Sequence, residues 1–134
     1  MAFSISRLFQ SKTTVKDGLT QLQREAIADL LHYCMFADNH IALAETKTIA
    51  DVVGTFAWDP NIAFESFEAR SVAEARAAKE DAPQRKAFLD SIKLRLNTPT
   101  SRSLALDVCK QLFNVDGVSP DESLLLTRLS RLLA

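Results

Sequence analysis

The chain has 134 residues, enough for one domain with a real core and too few for a second. Apolar residues make up 47% and charged residues 25%, which excludes a disordered or fibrous chain, and three Gly with four Pro give little punctuation for a many-stranded fold. Sixteen Lys and Arg against seventeen Asp and Glu leave a formal net charge of -1, so no global positive field would draw the protein to a nucleic acid.

Residues Met1 to Asp17 carry Phe3, Ile5, Leu8 and Phe9 among Ser, Arg and Lys, without a regular period. They read as an N-terminal tail (1–17) packed on the core of a helical domain (18–134), with a basic amphipathic patch for a membrane or partner as the weaker alternative. The tail lacks the continuous apolar stretch of a secretory signal, and no segment approaches the roughly 18 uninterrupted apolar residues of a membrane span. A soluble, cytoplasmic protein is the expectation.

The first helix opens at Thr20, where Thr20 and Gln23 match the S/T-x-x-E/Q capping box that satisfies orphan amides at a helix start. Leu22, Ala26, Leu30 and Tyr33 form one row, flanked by Ile27, Leu31 and Cys34, and this wide apolar stripe predicts a core-facing helix to about Ala37. His32 falls on its surface side. After Asp38, Asn39 and His40 the pattern restarts with Ile49, Val52, Val53 and Phe56, a second amphipathic helix.

Asp59 and Pro60 read as an N-cap and first-turn proline for a third helix over Phe64 to Glu80, whose apolar face is thin. Asp81, Ala82 and Pro83 interrupt it, and Phe88, Leu89, Ile92 and Leu96 predict a fourth helix ending before Thr98 and Pro99. Thr100 or Ser101 would cap a fifth, in which Leu104, Val108 and Leu112 run beside Ala105, Cys109 and Phe113 to about Asn114. Ser119, Pro120, Asp121 and Glu122 start the last. The fold class expected is therefore all-α, a single helical bundle.

Sliding the C-terminal quarter over the first helix pair reveals a repeat. Leu30, Leu31, Cys34, Met35, Ala37 and Asp38 fall in constant register on Val108, Cys109, Leu112, Phe113, Val115 and Asp116. With one residue dropped in the second loop, Ile41, Ala42, Glu45, Ile49, Val52 and Phe56 then fall on Val118, Ser119, Glu122, Leu126, Leu129 and Leu133.

The loops inside this repeat, Ala37-Asp38-Asn39-His40-Ile41 leading to Glu45 and Val115-Asp116-Gly117-Val118 leading to Glu122, resemble the paired Ala-Asp-Gly-x-Ile-x-x-x-Glu signatures of TerB-like tellurite-resistance proteins. Asn39 stands where the first Gly is usual, and Asn tolerates the left-handed backbone that Gly would supply. The resemblance implies an all-helical fold with two pseudo-symmetric helix-loop-helix halves and a role in bacterial tellurite resistance or stress responses.

Asp38, Glu45, Asp116 and Glu122 have the best claim to chemistry, because packing the two halves together would cluster carboxylate oxygens suited to Ca²⁺ or Mg²⁺. The competing account is structural: Ser119 and Glu122 form a capping box with Pro120 at the first helical position, and Asp116-Gly117 reads as a turn. Neither loop is an EF-hand, since the twelve-residue pattern of alternate ligands is absent. His40 lies beside Asp38, either joining a metal site or simply solvated.

No catalytic machinery stands out: there is no Gly-rich phosphate loop, HExxH or GxSxG. Cys34 and Cys109 sit in apolar helical runs without CxxC spacing and read as buried thiols in a reducing compartment. Arg70, Arg76, Lys79, Arg85 and Lys86, with Glu65, Glu68, Glu74 and Glu80, make the middle helices a mixed-charge solvated face. Trp58, Phe64 and Phe67 either pack inward or mark a docking surface.

Two functions follow. The preferred one is a non-enzymatic, divalent-cation-responsive module with a protein partner in a stress response; the alternative is a small-ligand-binding protein or enzyme with an acidic inter-helix site that includes His40. A helix with a spare apolar face would also serve a homodimer.

Overall fold

A computed structural model describes the backbone of residues 18–37, 43–113 and 120–134, and the side chains of these except 37, 43–46 and 121. The described residues form six helices and no strand: α1 (Gln21–Ala37), α2 (Leu43–Gly54), α3 (Phe64–Glu80), α4 (Ala82–Arg95), α5 (Pro99–Phe113) and α6 (Pro120–Leu132). The tail, residues 1–17, lies outside them. No described helix is long and apolar enough to cross a membrane.

The helix starts show how local sequence sets the elements. Gly18, at a positive φ of 73° that side-chain-bearing residues rarely adopt, turns the chain into buried Leu19. Thr20 then caps α1 in the reciprocal manner expected: its Oγ1 accepts from the Gln23 amide at 3.1 Å, and Gln23 Oε1 accepts from the Thr20 amide at 2.9 Å. Asp81 ends α3 and caps α4, accepting from the Gln84 amide at 2.9 Å, with Pro83 in the first turn.

Two caps differ from the sequence reading. The cap of α5 is Thr98, two or three residues earlier than Thr100 or Ser101. Its Oγ1 accepts from the Ser101 amide at 3.1 Å, and Pro99 occupies the first helical position, where a missing N–H costs nothing. Asp59 does not cap α3; its carboxylate accepts from the Asn61 amide at 2.8 Å in a turn, and α3 starts after Ala63, which supplies no side-chain cap.

α1 lies at the centre and packs against α2, α3, α4 and α5. Ala26, Ile27, Ala28, Leu30, Leu31 and Cys34 are completely buried, and residues away from the predicted stripe, Gln23, Arg24, Asp29 and His32, are buried as well. Leu22, placed in that stripe by its spacing, is instead 59% exposed. A helix covered on all sides no longer has one inward face, so periodicity misassigns residues at its margins. The Arg24 guanidinium is satisfied in part by the Leu19 carbonyl at 2.8 Å, and Gln23 Nε2 donates to Asn97 Oδ1 at 2.8 Å.

The thin face of α3 has a packing reason. Its buried residues are Phe67, Ser71, Ala75 and Ala78, and three small side chains let its backbone come close to α1. Trp58, Phe64 and Phe67 pack on one another at centroid separations of 5.0 to 6.0 Å beside the core, and Trp58 Nε1 donates to the Ile62 carbonyl at 2.9 Å. Across the repeat, Leu30, Leu31, Cys34, Met35 and Val52 are buried, as are their partners Val108, Cys109, Leu112, Phe113 and Leu129.

The mixed-charge face is only partly a solvated one. Lys47–Asp51 and Lys86–Asp90 are exposed i,i+4 pairs. Arg85, by contrast, turns back to the end of α3, donating to the carbonyls of Ala78 at 3.0 Å and Lys79 at 2.7 Å. Arg70 and Arg76 lie over the rings of Phe67 and Phe36 at 5.3 and 5.1 Å.

Candidate functional site

Of the proposed carboxylate cluster, Asp38 and Asp116 lie outside the described residues, as does His40; Glu45 belongs to α2 with its side chain outside them. Glu122, in the first turn of α6, is buried. The structure thus places one of the four side chains. Among the described residues no group of three or more His, Cys, Asp and Glu is arranged to hold a metal ion.

A different constellation lies between α1 and α3. Asp29 and His32, one helical turn apart on α1, both reach Ser71 of α3. Arg95, at the end of α4, pairs its Nη2 with Asp29 Oδ2 at 2.8 Å. Ser71 Oγ donates to Asp29 Oδ1 at 2.5 Å and stands 2.8 Å from His32 Nδ1. Asp29, Ser71 and His32 are all buried, and Arg95 is mostly so.

The direction of each proton follows from the partners. An ionised carboxylate facing a guanidinium only accepts, so the single Ser71 hydroxyl proton points at Asp29. Ser71 Oγ must then accept from His32, which fixes the neutral imidazole as the Nδ1–H tautomer and leaves the Nε2 lone pair facing the other way. Burial disfavours the imidazolium and lowers the His32 pKa from 6.5 to about 4, outweighing the opposing pull of the Asp29 charge.

His32 also borders a cleft of about 340 Å³, lined with it by Met35 of α1, Ile49 of α2, and Glu65, Glu68, Ala69 and Val72 of α3. The α3 residues follow helical spacing, so both carboxylates share one face. Glu68 Oε2 lies 3.9 Å from His32 Nε2, beyond hydrogen-bonding distance, and its side chain is 42% exposed at the mouth. Among the described residues the lining contains two acids, one neutral imidazole and no Lys or Arg. It combines an acceptor held in the interior, negative charge at the rim and apolar walls.

Sequence reasoning put His32 on a helix surface and Glu65 and Glu68 on a solvated face; the structure corrects the first and joins all three to one cleft. The available signal was the unusual breadth of the α1 pattern, where Ala28 and Met35 lie outside the expected stripe and mark a helix covered all round.

Ser71 is not a nucleophile here, since it is completely buried and its proton is committed to Asp29. His32 is also ill suited to general-base work near neutrality: with a conjugate acid of pKa about 4 it takes up a proton weakly, whereas the most effective base titrates near the working pH. Its neutral lone pair is well suited to accepting a hydrogen bond. No family model, curated protein or solved structure matches the chain.

Proposed function

We propose that this protein is a small helical binding module whose ligand site is the cleft beside His32, and that it takes an organic cation bearing N–H donors and an apolar body. One arrangement carries the reading: a buried imidazole held through Nδ1 by Ser71, which Asp29 holds in turn, borders the cleft and has its Nε2 3.9 Å from Glu68. A primary ammonium would donate to Nε2 and pair with Glu68, while Met35, Ile49 and Val72 receive its hydrocarbon. A bare divalent ion fits this cleft less well, because it demands several oxygen ligands and half of the lining is apolar.

A second reading keeps the divalent-cation-responsive module of a tellurite-resistance or stress response implied by the resemblance to TerB-like proteins. Asp38, Glu45, Asp116 and Glu122 would be its ligands, with a protein partner on the surface. The burial of Glu122 supports it, since an acidic residue at a helix start ordinarily faces water.

One titration separates the two. The His32 ring nitrogens, observed by NMR in the ¹⁵N-labelled full chain, are followed while butylammonium, Ca²⁺ or Mg²⁺ is added. Saturable movement of Nε2 with butylammonium, weakened roughly tenfold in Glu68→Gln, is expected, the loss of one charge-assisted pair being worth about that factor. No movement at tens of millimolar would sink the cleft reading. A melting temperature raised by Ca²⁺ or Mg²⁺, and no longer raised in Asp38→Asn/Asp116→Asn, would establish the other.

A further inference from the structure

The α1–α5 contact contains a feature unrelated to the cleft. Cys34 of α1 and Cys109 of α5 stand with their Sγ atoms 3.7 Å apart, both completely buried and both thiols rather than halves of a disulfide. They come from opposite quarters of the chain, with α2, α3 and α4 between them in sequence. They do not occupy matched repeat positions, so their meeting is a property of the packed core and not of the internal repeat.

We propose that Cys34 and Cys109 form a dithiol site that a small peroxide converts to an intramolecular disulfide, joining α1 to α5. A disulfide needs the sulfurs about 2.05 Å apart, so from their separation of 3.7 Å each has to move by roughly 0.8 Å. The chemistry balances in two steps. One thiol is oxidised by the peroxide to a sulfenic acid, releasing water (or an alcohol from an organic peroxide). The second thiol then attacks that sulfur, forming the S–S bond and expelling a second water. Two electrons and two protons leave the thiols, and the peroxide O–O bond accepts them.

The position of the pair shapes the outcome. Each sulfur is the other's nearest reaction partner, so the second step is intramolecular and outpaces both further oxidation and capture by an outside thiol. Burial of both sulfurs restricts the oxidant to small molecules and makes the first step slow, because the oxidant has to reach a sulfur that solvent does not touch. The closed loop runs from the last turn of α1 into the second half of α5 and restricts the unfolded chain over more than half of its length. The oxidised protein is therefore expected to melt at a higher temperature than the reduced one.

The test exposes the full, folded chain to hydrogen peroxide and follows intact mass, melting temperature and a non-reducing tryptic map. A loss of about 2 Da, for the two thiol hydrogens, is expected. A linked pair of peptides 25–47 and 103–110 and a melting temperature several degrees higher, reversed by dithiothreitol, should accompany it. Cys34→Ala and Cys109→Ala should each remove the mass loss; both leave a small apolar side chain, and the wild-type map stands even if one fails to fold. Separate oxygen additions to either cysteine, disulfide-linked dimers, or a link that forms only in denaturant would each overturn the proposal.

Discussion

The two sides of α1 are built on opposite principles. Toward α5 it presents Cys34 to a neighbour that buries Ala105, Val108, Cys109, Leu112 and Phe113, an interior with little polarity that is stabilised by removing apolar surface from water. Toward α3 it carries Asp29 and His32 into a buried chain of hydrogen bonds through Ser71 to Arg95. A hydrophobic replacement of buried ionic groups is often neutral or stabilising, so stability alone does not explain the polar side. The polar side is also the one that borders the cleft proposed above as the binding site.

The strongest way to break this contrast is to remove the carboxylate at the middle of the chain. Asp29→Ala strands Arg95, Ser71 and His32 and should lower the unfolding free energy by about 4 kcal/mol, comparable to Leu112→Ala on the dry side, expected at about 2–5 kcal/mol. Urea unfolding of both variants measures the pair. Asp29→Leu/Ser71→Ala/Arg95→Met should then recover at least half of the loss while abolishing butylammonium binding. Recovery with binding intact would show that the polar chain serves neither purpose assigned to it.

Next in size is the response to pH. The folded pKa of His32, about 4, lies below its unfolded value of 6.5, so the unfolded state binds the extra proton first. The contribution of His32 is complete above pH 6.5, falls as the pH drops toward 4, and amounts to ~3 kcal/mol over that window. His32→Gln keeps a donor for Ser71 but does not titrate. It should flatten this part of the stability profile, while the fall caused by the carboxylates at lower pH persists. An unchanged slope between pH 6.5 and 4 in His32→Gln would remove His32 as its source.

The smallest effect sharpens the contrast at its margin. Leu22, on the same helix as the core leucines but 59% exposed, should tolerate Leu22→Ser within about 0.5 kcal/mol, whereas Leu30→Ala, at a fully buried position, should cost about 2–5 kcal/mol. Thermal melts of the two variants are sufficient. A large loss in Leu22→Ser would mean that something covers this end of α1.

The helix bounds were legible in the chain because they depend on neighbours in sequence. Thr20 with Gln23, Asp81 with Pro83, and Pro120 at a first helical position act through local hydrogen bonds and a fixed φ, which do not need the rest of the fold. The buried thiols and the six-helix composition followed from apolar spacing in the same way. The cap at Thr98 was missed because Thr98, Thr100 and Ser101 are chemically equivalent cap candidates within one short stretch, and only the chain's path chose among them.

The cleft was not legible. A period of 3.6 states which residues share a helix face, but not how many faces neighbours will cover, and α1 is covered on all sides from Ala26 to Phe36. That coverage, a tertiary event, drew His32 inside, left Leu22 in water and set Ser71 against Asp29 across a sequence gap that no local rule spans. It also brought Cys34 to Cys109. Sequence by itself determined six amphipathic or capped segments and their apolar sides; packing decided which polar groups would be buried together, because burial depends on distant surfaces meeting and hydrogen-bond direction on the partners then in reach.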